Sequence, residues 1–200
     1  MAETRTERVL QLVRDAGVLR PRDLDAYGIP RQYLRILRDR GLVRRVARGL
    51  YVASDVDFTE HYSLALACKR IPEGVVCLLS ALRFHGLATQ SPHQVWLAVG
   101  KRHPFSGEQA AGMRIVRFSG EAFASGIENH GIEGVTVKVY NPAKTVVDCF
   151  KYRNKIGLDV ALEALRDGWR QRRATMDELW RYAEVCRMTN VMRPYLESLT

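Results

Sequence analysis

Apolar residues near the N-terminus recur at the spacing of a helix. Thr4 and Glu7 form a capping-box pattern, in which each side chain satisfies a free backbone N–H where a helix starts. An apolar stripe follows, and Gly17 is well placed to end it. The pattern therefore predicts a first helix that starts after Thr4 and ends near Gly17.

Two more short helices are predicted directly after the first. Pro21 suits the first turn of a helix that Gly28 would end, and Pro30 suits the first turn of one that would run to Gly41. Two short helices separated by a glycine-containing turn are the outline of a helix-turn-helix. When the third helix is sorted by angle, at about 100° per residue, its apolar residues fall on one side. The opposite side carries Arg31, Gln32, Arg35, Arg38 and Asp39.

This opposite side of the third helix is predicted to read DNA. A solvated helix face usually mixes Glu with Lys at four-residue spacing, whereas this one uses arginine almost alone. An arginine fork binds a guanine edge or a phosphate through two hydrogen bonds, which lysine cannot do. The candidate DNA-binding residues on this helix are Arg31, Gln32, Arg35 and Arg38.

The stretch Leu37–Val52, LRDRGLVRRVARGLYV, holds five arginines and no lysine. Its apolar ends, Leu42–Val43 and Gly49–Val52, indicate two short strands. The basic residues at the turn between them are Arg44, Arg45 and Arg48. A helix-turn-helix followed by such a hairpin is a winged helix. Arginines at the tip of the wing would contact DNA phosphates, which position the protein and add salt-dependent affinity without reading sequence.

The rest of the chain mixes strand and helix patterns, and we place the domain boundary at the polar stretch Asp55–Thr59. Helices are expected at about 60–70, 142–150, 158–169, 176–183 and 191–199, and strands at 94–99, 113–118 and 134–140. A further helix is expected in the apolar segment Val75–Leu87, and caps are expected at Asn141 and at the capping-box pair Thr175 and Glu178. The predicted fold class is therefore α+β. Residues 1–54 would form an N-terminal winged helix-turn-helix that binds DNA, and residues 55–200 a mixed α/β C-terminal domain.

Composition and charge support a folded protein that binds a polyanion. Hydrophobic residues make up 46% of the 200 residues and charged residues 26%, which favours a packed core. The net charge is +9, and residues 1–54 carry +6 of it, from 12 Arg and 6 Asp or Glu. So concentrated a positive field attracts nucleic acid or an anionic membrane surface. The alternative is that the basic residues only keep the chain soluble.

The sequence also favours a reducing, cytoplasmic location. The start MAETRTERV has no apolar signal core, and no run approaches the roughly 18–20 apolar residues of a membrane helix. The four cysteines are far apart and form no Cys-x-x-Cys pair, so we expect buried free thiols. We expect no contact with a membrane.

Candidate catalytic chemistry is sparse. The chain has no glycine-rich phosphate loop, no Gly-x-Ser-x-Gly and no His-Glu-x-x-His, and its five histidines lack metal-ligand spacing. Neither an enzyme activity nor a metal or other cofactor is therefore expected. Ser80 and His85 lie five positions apart on one predicted helix, where their side chains would diverge. A capping or packing role is expected for both.

Charged residues after Asn141 form the remaining candidates. Lys144 and Asp148 have i,i+4 spacing, and as an ordinary helix pair they would contribute only a few tenths of a kcal/mol. Lys151, Arg153 and Lys155 form a second basic cluster. This cluster is either a solvated face or a contact for nucleic acid or a partner protein.

Three stretches of the chain resemble the AbiEi antitoxins of bacterial type IV toxin–antitoxin systems. They are the winged-helix stretch LRDRGLVRRVARGLYV, the segment LSALRFHGL (Leu79–Leu87) and NPAKTVVDCFKYRNKIGLDVALEALRD (Asn141–Asp167). The last is the most specific, because it combines a proline-started helix, a basic turn and a Gly-Leu-Asp helix start in the order found in that family. The similarity covers nearly the whole chain and is weakest at residues 100–133.

The resemblance implies a cytoplasmic antitoxin that binds inverted repeats in the double-stranded DNA of its own promoter and represses it. Its C-terminal domain would counteract a nucleotidyltransferase toxin. Members of this family oppose the toxin without a stable complex, so direct contact with the toxin is not implied. The candidate residues for the antitoxin function are Lys144, Asp148, Lys151, Arg153 and Lys155.

Two other functions remain open from the sequence. The protein could be a winged-helix regulator whose C-terminal domain senses a small molecule. It could also be a nucleic-acid-processing enzyme that its N-terminal domain carries to the substrate. Such an enzyme normally needs clustered carboxylates for metal ions, and residues 55–200 offer no such cluster in the sequence.

Overall fold

The computed structural model describes residues 4–56 and 60–199, so residues 57–59 of the predicted joint Asp55–Thr59 lie outside the described residues. The chain divides into two compact units. The first comprises Met1–Lys69 with Gly131–Thr136, and the second comprises Arg70–His130 with Val137–Thr200.

The first unit contains the predicted winged helix-turn-helix. Its elements are α1 (Arg5–Ala16), a 3₁₀ helix (Pro21–Tyr27), α2 (Gln32–Asp39), β1 (Val43–Ala47), β2 (Leu50–Ala53) and α3 (Tyr62–Arg70), the last residue of which lies in the second unit. The predicted capping box is present at the start of α1. The Glu7 N–H donates to Thr4 Oγ1 at 3.2 Å, and the Thr4 N–H donates to the Glu7 carboxylate at 2.8 Å. The second predicted helix is a 3₁₀ helix, and Gly28 ends it in the left-handed conformation, as expected.

A small apolar core holds these elements together. Its buried members are Val9, Val13, Leu19, Leu24, Ile29, Leu34, Leu37, Val43 and Ala53. Leu19 and Tyr51 exchange two backbone hydrogen bonds, each 2.9 Å long. The segment after α1 is therefore paired with β2, and this pairing ties the hairpin to the helices.

The helix α3 also lies in the first unit. Lys69 Nζ is 3.1 Å from the Asp23 carboxylate, and a guanidinium nitrogen of Arg20 donates to the Lys69 carbonyl at 3.3 Å. The compact unit thus extends beyond residue 54. The boundary between separately folding domains at that residue stays a prediction.

Residues 131–136 also belong to the first unit, and their backbone lies close to the backbone at the end of α1. A Cβ on Gly17 would lie 1.7 Å from the Glu133 carbonyl oxygen, and one on Gly134 would lie 2.6 Å from the Ala16 carbonyl carbon. Gly17 has φ +60° and Gly134 has φ +68°, and residues with a side chain are strained in this left-handed region. Gly17 therefore ends α1 and makes room for this contact.

The strands outside the wing are β3 (Val75–Val76), β4 (Val95–Gly100), β5 (Met113–Phe118), β6 (Ile127–Ile132) and β7 (Val135–Tyr140). They form one sheet in the order β5-β4-β3-β7-β6. The strand β4 is parallel to β5 and antiparallel to β3, which is parallel to β7. Five of the six residues of β4 are buried, as expected for an interior strand.

The helices of the second unit are α4 (Leu78–His85), α5 (Gly107–Ala110), α6 (Glu121–Ala124), α7 (Pro142–Lys151), α8 (Arg153–Ile156), α9 (Leu158–Arg170), α10 (Met176–Val185) and α11 (Thr189–Glu197). The helix α7 is central, because residues 143–150 are all buried and α4, α9 and α10 pack against it. Asn141 caps its start, as predicted, by accepting from the Lys144 N–H at 2.9 Å. The predicted α+β class with an N-terminal winged helix is confirmed.

A fully buried ion pair lies inside α7. Lys144 Nζ is 2.6 Å from Asp148 Oδ2, and the exposed fractions of the two side chains are 0% and 1%. The Lys144 ammonium also lies 4.2 Å from the centre of the Tyr140 ring, and Cys186 Sγ donates to Asp148 Oδ1 at 3.5 Å. Burial raises the pKa of Asp148, and the charge of Lys144 opposes that shift. The expectation of an ordinary helix pair therefore does not apply to these residues, because neither charge has access to water.

Removing one member of this pair should destabilise the protein strongly. We expect Lys144→Ala to lower the free energy of unfolding by about 3–5 kcal/mol, because it leaves the Asp148 carboxylate buried without its counterion. Tryptophan fluorescence during urea unfolding is a suitable measurement, since all three tryptophans lie in the second unit. The double variant Lys144→Met/Asp148→Leu should be less destabilised than Lys144→Ala. A single variant as stable as an exposed control, Lys101→Ala, would contradict this account.

Candidate nucleic-acid interface

The side chains of α2 divide into a buried and an exposed set. Leu34 and Leu37 are buried in the core of the first unit, with 1% and 0% of their surface exposed. The predicted DNA-reading residues Arg31, Gln32, Arg35 and Arg38 are all exposed. Ile36, which the angular sorting placed among the apolar residues, is 36% exposed, because the buried strip of α2 is narrow. The helix thus presents its arginines away from the core.

Two aspartates form ion pairs with these arginines. Arg31, at the N-cap of α2, forms a two-pronged ion pair with Asp25 of the 3₁₀ helix. Arg38 donates to Asp39 at 2.8 Å, and Arg35 lies 3.7 Å from the same carboxylate. Hydrogen bonds from Arg31 and Arg38 lower the pKa of Asp25 and of Asp39, respectively. All these groups face water, so a phosphate or a base edge can replace the aspartates.

Only one of these two aspartates could be anticipated. Asp39 was already placed on the arginine side by the helical angle, and it follows Arg35 at four-residue spacing. Asp25 lies on a different helix, six residues before Arg31, and no local pattern predicts that contact. Arg35 is the most open of the three arginines, with 80% of its side chain exposed.

Two of the three wing arginines lie in a strand and not in the turn, where the sequence had placed them. Arg44 and Arg45 lie within β1, opposite Val52 and Tyr51 of β2, and only Arg48 lies in the turn. The prediction that all three occupy the turn was wrong, because backbone pairing extends the strand regardless of its charged side chains. All three are nevertheless exposed.

Arg44 and Arg45 have different surroundings. Consecutive residues of a strand point to opposite faces, and the two side chains make different contacts. A guanidinium nitrogen of Arg44 donates to the Val56 carbonyl at 3.4 Å, whereas Arg45 Nε donates to the Ala47 carbonyl at 3.2 Å. These two arginines are therefore not equivalent candidates for one DNA backbone.

The C-terminal candidate residues do not form one surface. Lys144 and Asp148 lie in the interior, as described for α7. Lys151 and Lys155 are exposed, and the Lys155 ammonium lies 5.5 Å from the centre of the Tyr152 ring. Arg153 is half-buried and donates to the Phe150 carbonyl at 2.9 Å. Of these five candidates, only Lys151, Arg153 and Lys155 can therefore touch another molecule.

Ser80 and His85 have separate structural partners. Ser80 Oγ accepts from the Trp96 N–H at 2.9 Å, and His85 Nε2 donates to the Tyr140 carbonyl at 2.7 Å. Burial lowers the pKa of His85, which keeps the ring neutral near pH 7. Both side chains thus have packing roles.

Within residues 4–56 and 60–199, no three His, Cys, Asp or Glu side chains lie close enough to hold a metal ion. None of the helices in this part of the chain combines the length and the apolar character needed to cross a bilayer.

Comparisons with known proteins place the winged helix in a family. Residues 7–54 match the sequence model of a family described as a transcriptional regulator, AbiEi antitoxin. This match supports the resemblance found in the sequence, and it covers the N-terminal segment, which is similar to the AbiEi antitoxin regulators. No curated protein matches the chain.

One solved structure has a similar fold over most of the chain. It is the crystal structure of the RV2827C protein from Mycobacterium tuberculosis, with a TM-score of 0.62 and 14% sequence identity. The similarity covers 90% of this chain and 71% of the other. At this identity the similarity concerns the fold alone.

The arrangement of α2 yields a first test of DNA binding. We expect Arg31→Ala, Arg35→Ala or Arg38→Ala to weaken binding of the specific duplex by about 1–3 kcal/mol where the residue contacts a base. Fluorescence anisotropy with a duplex from the region upstream of the gene, and with a scrambled duplex, measures the effect. The matched control is Arg40→Ala, an exposed arginine outside the arginine side. If all three variants bind like the wild type, α2 is not the recognition helix.

The wing yields a second test. Removing one phosphate contact should lower the slope of log K against log salt by about 0.9 and weaken specific and non-specific duplexes alike. Because Arg44 and Arg45 point to opposite faces, only one of the variants Arg44→Ala and Arg45→Ala should have this effect. Anisotropy titrations at several salt concentrations measure both slopes. Equal losses in the two single variants, or an unchanged slope when Arg48 is replaced as well, would contradict the proposed wing contact.

Proposed function

We propose that this protein is a DNA-binding antitoxin that represses its own promoter and counteracts a nucleotidyltransferase toxin. The observation that carries the proposal is the exposed arginine side of α2, Arg31, Gln32, Arg35 and Arg38, within the segment that matches AbiEi regulators. Of the wing arginines, Arg48 and one of the pair Arg44 and Arg45 supply phosphate contacts. The target is double-stranded DNA with inverted repeats, and the protein acts in the cytoplasm by binding rather than by catalysis.

The antitoxin function belongs, in this proposal, to the second unit. Support comes from the sequence motif Asn141–Asp167, which includes α7, α8 and most of α9. Lys151, Arg153 and Lys155 provide its accessible charges, whereas Lys144 and Asp148 act only by holding α7 in place. The toxin is opposed without a stable complex.

The burial of Lys144 changes the design of the experiment. An alanine at this position would perturb folding, so the C-terminal variant should be Lys151→Ala/Arg153→Ala/Lys155→Ala. The N-terminal variant is Arg31→Ala/Arg35→Ala/Arg38→Ala. The matched control is Lys101→Ala/Arg102→Ala, which removes two exposed charges of the second unit outside the motif.

Repression and neutralisation should separate in these variants. We expect the N-terminal variant to lose repression of a promoter reporter but still to rescue cells that express the toxin, when both proteins come from foreign promoters. The C-terminal variant should keep repression and lose most of the rescue. Growth at matched protein levels is the measurement. If the N-terminal variant fails to rescue while the C-terminal one succeeds, the antitoxin function lies in the DNA-binding unit.

A small-molecule sensor is the second candidate, and one cavity favours it. An open pocket of about 770 Å³ in the second unit is lined by residues that include Ser119, Lys151, Arg181 and Arg187. Its volume lies in the usual range for small ligands. A metabolite that changes affinity for the promoter duplex, in a toxin-free assay, would favour this function. A nucleotidyltransferase gene beside this one favours the antitoxin.

A further inference from the structure

A second group of arginines lies where α9 ends and α10 begins. Within eight residues the chain carries four exposed arginines, Arg166, Arg170, Arg172 and Arg173. They surround Trp169, which is half-buried and, among the described residues, does not belong to the apolar core of the second unit. We call these five residues the Trp169 surface. No function discussed so far uses it.

An apolar pocket opens in this surface. It has a volume of about 590 Å³ and is lined by Trp169, Arg170, Arg172, Ala174, Thr175 and Met176. Trp169, Ala174 and Met176 contribute apolar side chains to the lining, and Arg170 and Arg172 contribute two charged ones. A flat apolar ligand that also carries negative charge matches this combination.

Three nearby carboxylates form hydrogen bonds with backbone N–H groups rather than ion pairs with these arginines. Asp167 accepts from the Ala88 N–H at 3.0 Å, and Glu163 accepts from the Thr89 N–H at 2.9 Å. Glu178 accepts from the Thr175 N–H at 2.9 Å in the capping box of α10. Within residues 4–56 and 60–199, the four arginine side chains form no hydrogen bond or ion pair. The four guanidinium groups are therefore available to a negatively charged ligand.

The backbone at Arg172 is also unusual. Arg172 has φ +55°, and its N–H donates to the Trp169 carbonyl at 3.1 Å while the Arg173 N–H donates to the Gly168 carbonyl at 2.9 Å. Glycine is the usual residue at this place after a helix, because any side chain is strained there. An arginine in a strained position points to a use for its side chain. Gln171 Nε2 donates to the Gly86 carbonyl at 3.3 Å, which holds this turn.

We propose that the Trp169 surface binds single-stranded nucleic acid. One unpaired base enters the pocket and stacks on Trp169, and Arg170 and Arg172 bind the flanking phosphates. Stacking needs the open face of a base, which a duplex covers with its neighbours. Arginine forks match the geometry of phosphate oxygens. This activity is additional to duplex binding by the winged helix and does not depend on it.

Binding of a fluorescein-labelled 12-nucleotide oligothymidylate by the full-length protein tests the proposal. We expect Trp169→Ala to weaken binding by about 5- to 100-fold in fluorescence anisotropy, which is the usual cost of losing one stacked base. Arg172→Gly should weaken binding and lower the salt slope by about 0.7 for one phosphate on a single strand. This variant should melt no lower than the wild type, because glycine relieves the left-handed backbone.

Several controls distinguish this surface from general attraction between charges. The variant Lys101→Ala/Arg102→Ala, with charge lost elsewhere in the second unit, should bind the oligonucleotide like the wild type. The variant Arg31→Ala/Arg35→Ala/Arg38→Ala should lose duplex binding only, so a failure of the promoter-binding proposal would be visible separately. An abasic strand of the same length should bind at least about 5-fold more weakly, since it cannot stack.

Three results would overturn the proposal. The first is wild-type affinity for oligothymidylate in both Trp169→Ala and Arg172→Gly. The second is equal binding of the abasic strand, which would mean that no base is held. The third is displacement of the oligonucleotide by a 12-residue polyglutamate peptide at equal concentration, which would assign the surface to an acidic protein segment.

Discussion

The burial of Leu34 and Leu37 fixes the direction of every arginine on α2. Because these two leucines pack into the core with residues of α1 and β1, the helix cannot rotate without opening that core. The arginine side is therefore presented by the whole first unit rather than by one helix. Its aspartate partners are exposed, so a phosphate of bound DNA can replace them. The backbone pairing of Leu19 with Tyr51 sets the wing beside this surface within the same unit.

The second unit depends on a different constraint, which is the burial of residues 143–150 of α7. The motif Asn141–Asp167, which resembles the family most specifically, contains buried and exposed charged residues close together in the sequence. Lys144 and Asp148 satisfy each other in the interior, whereas Lys151, which directly follows the last buried residue of α7, faces water. Since the interior pair has no contact with solvent, its part in any function is to hold the helix on which Lys151 lies. Sequence similarity alone does not separate these two roles.

Elements with strong local signals could be predicted from the sequence, and those set by distant contacts could not. The caps at Thr4, Asn141 and Thr175, and the strands β4, β5 and β7, follow from capping pairs and apolar runs. The strand β6 has the polar sequence IENHGI and is formed by its neighbour in the sheet, so no pattern indicates it. The arginine side of α2 could be predicted because helical angles depend only on spacing. The ion pair of Arg31 with Asp25 and the burial of Lys144 depend on tertiary packing, which spacing does not contain.

The central claim is that the protein binds duplex DNA through α2 and the wing of its first unit. Hydrogen–deuterium exchange of the full chain, with and without a duplex from the upstream region, tests it most directly. The account predicts slower amide exchange on DNA binding in residues 31–40 and 43–53, and little change in the helices of the second unit. Protection confined to residues 70–130 and 137–199, with α2 and the hairpin unchanged, would contradict it.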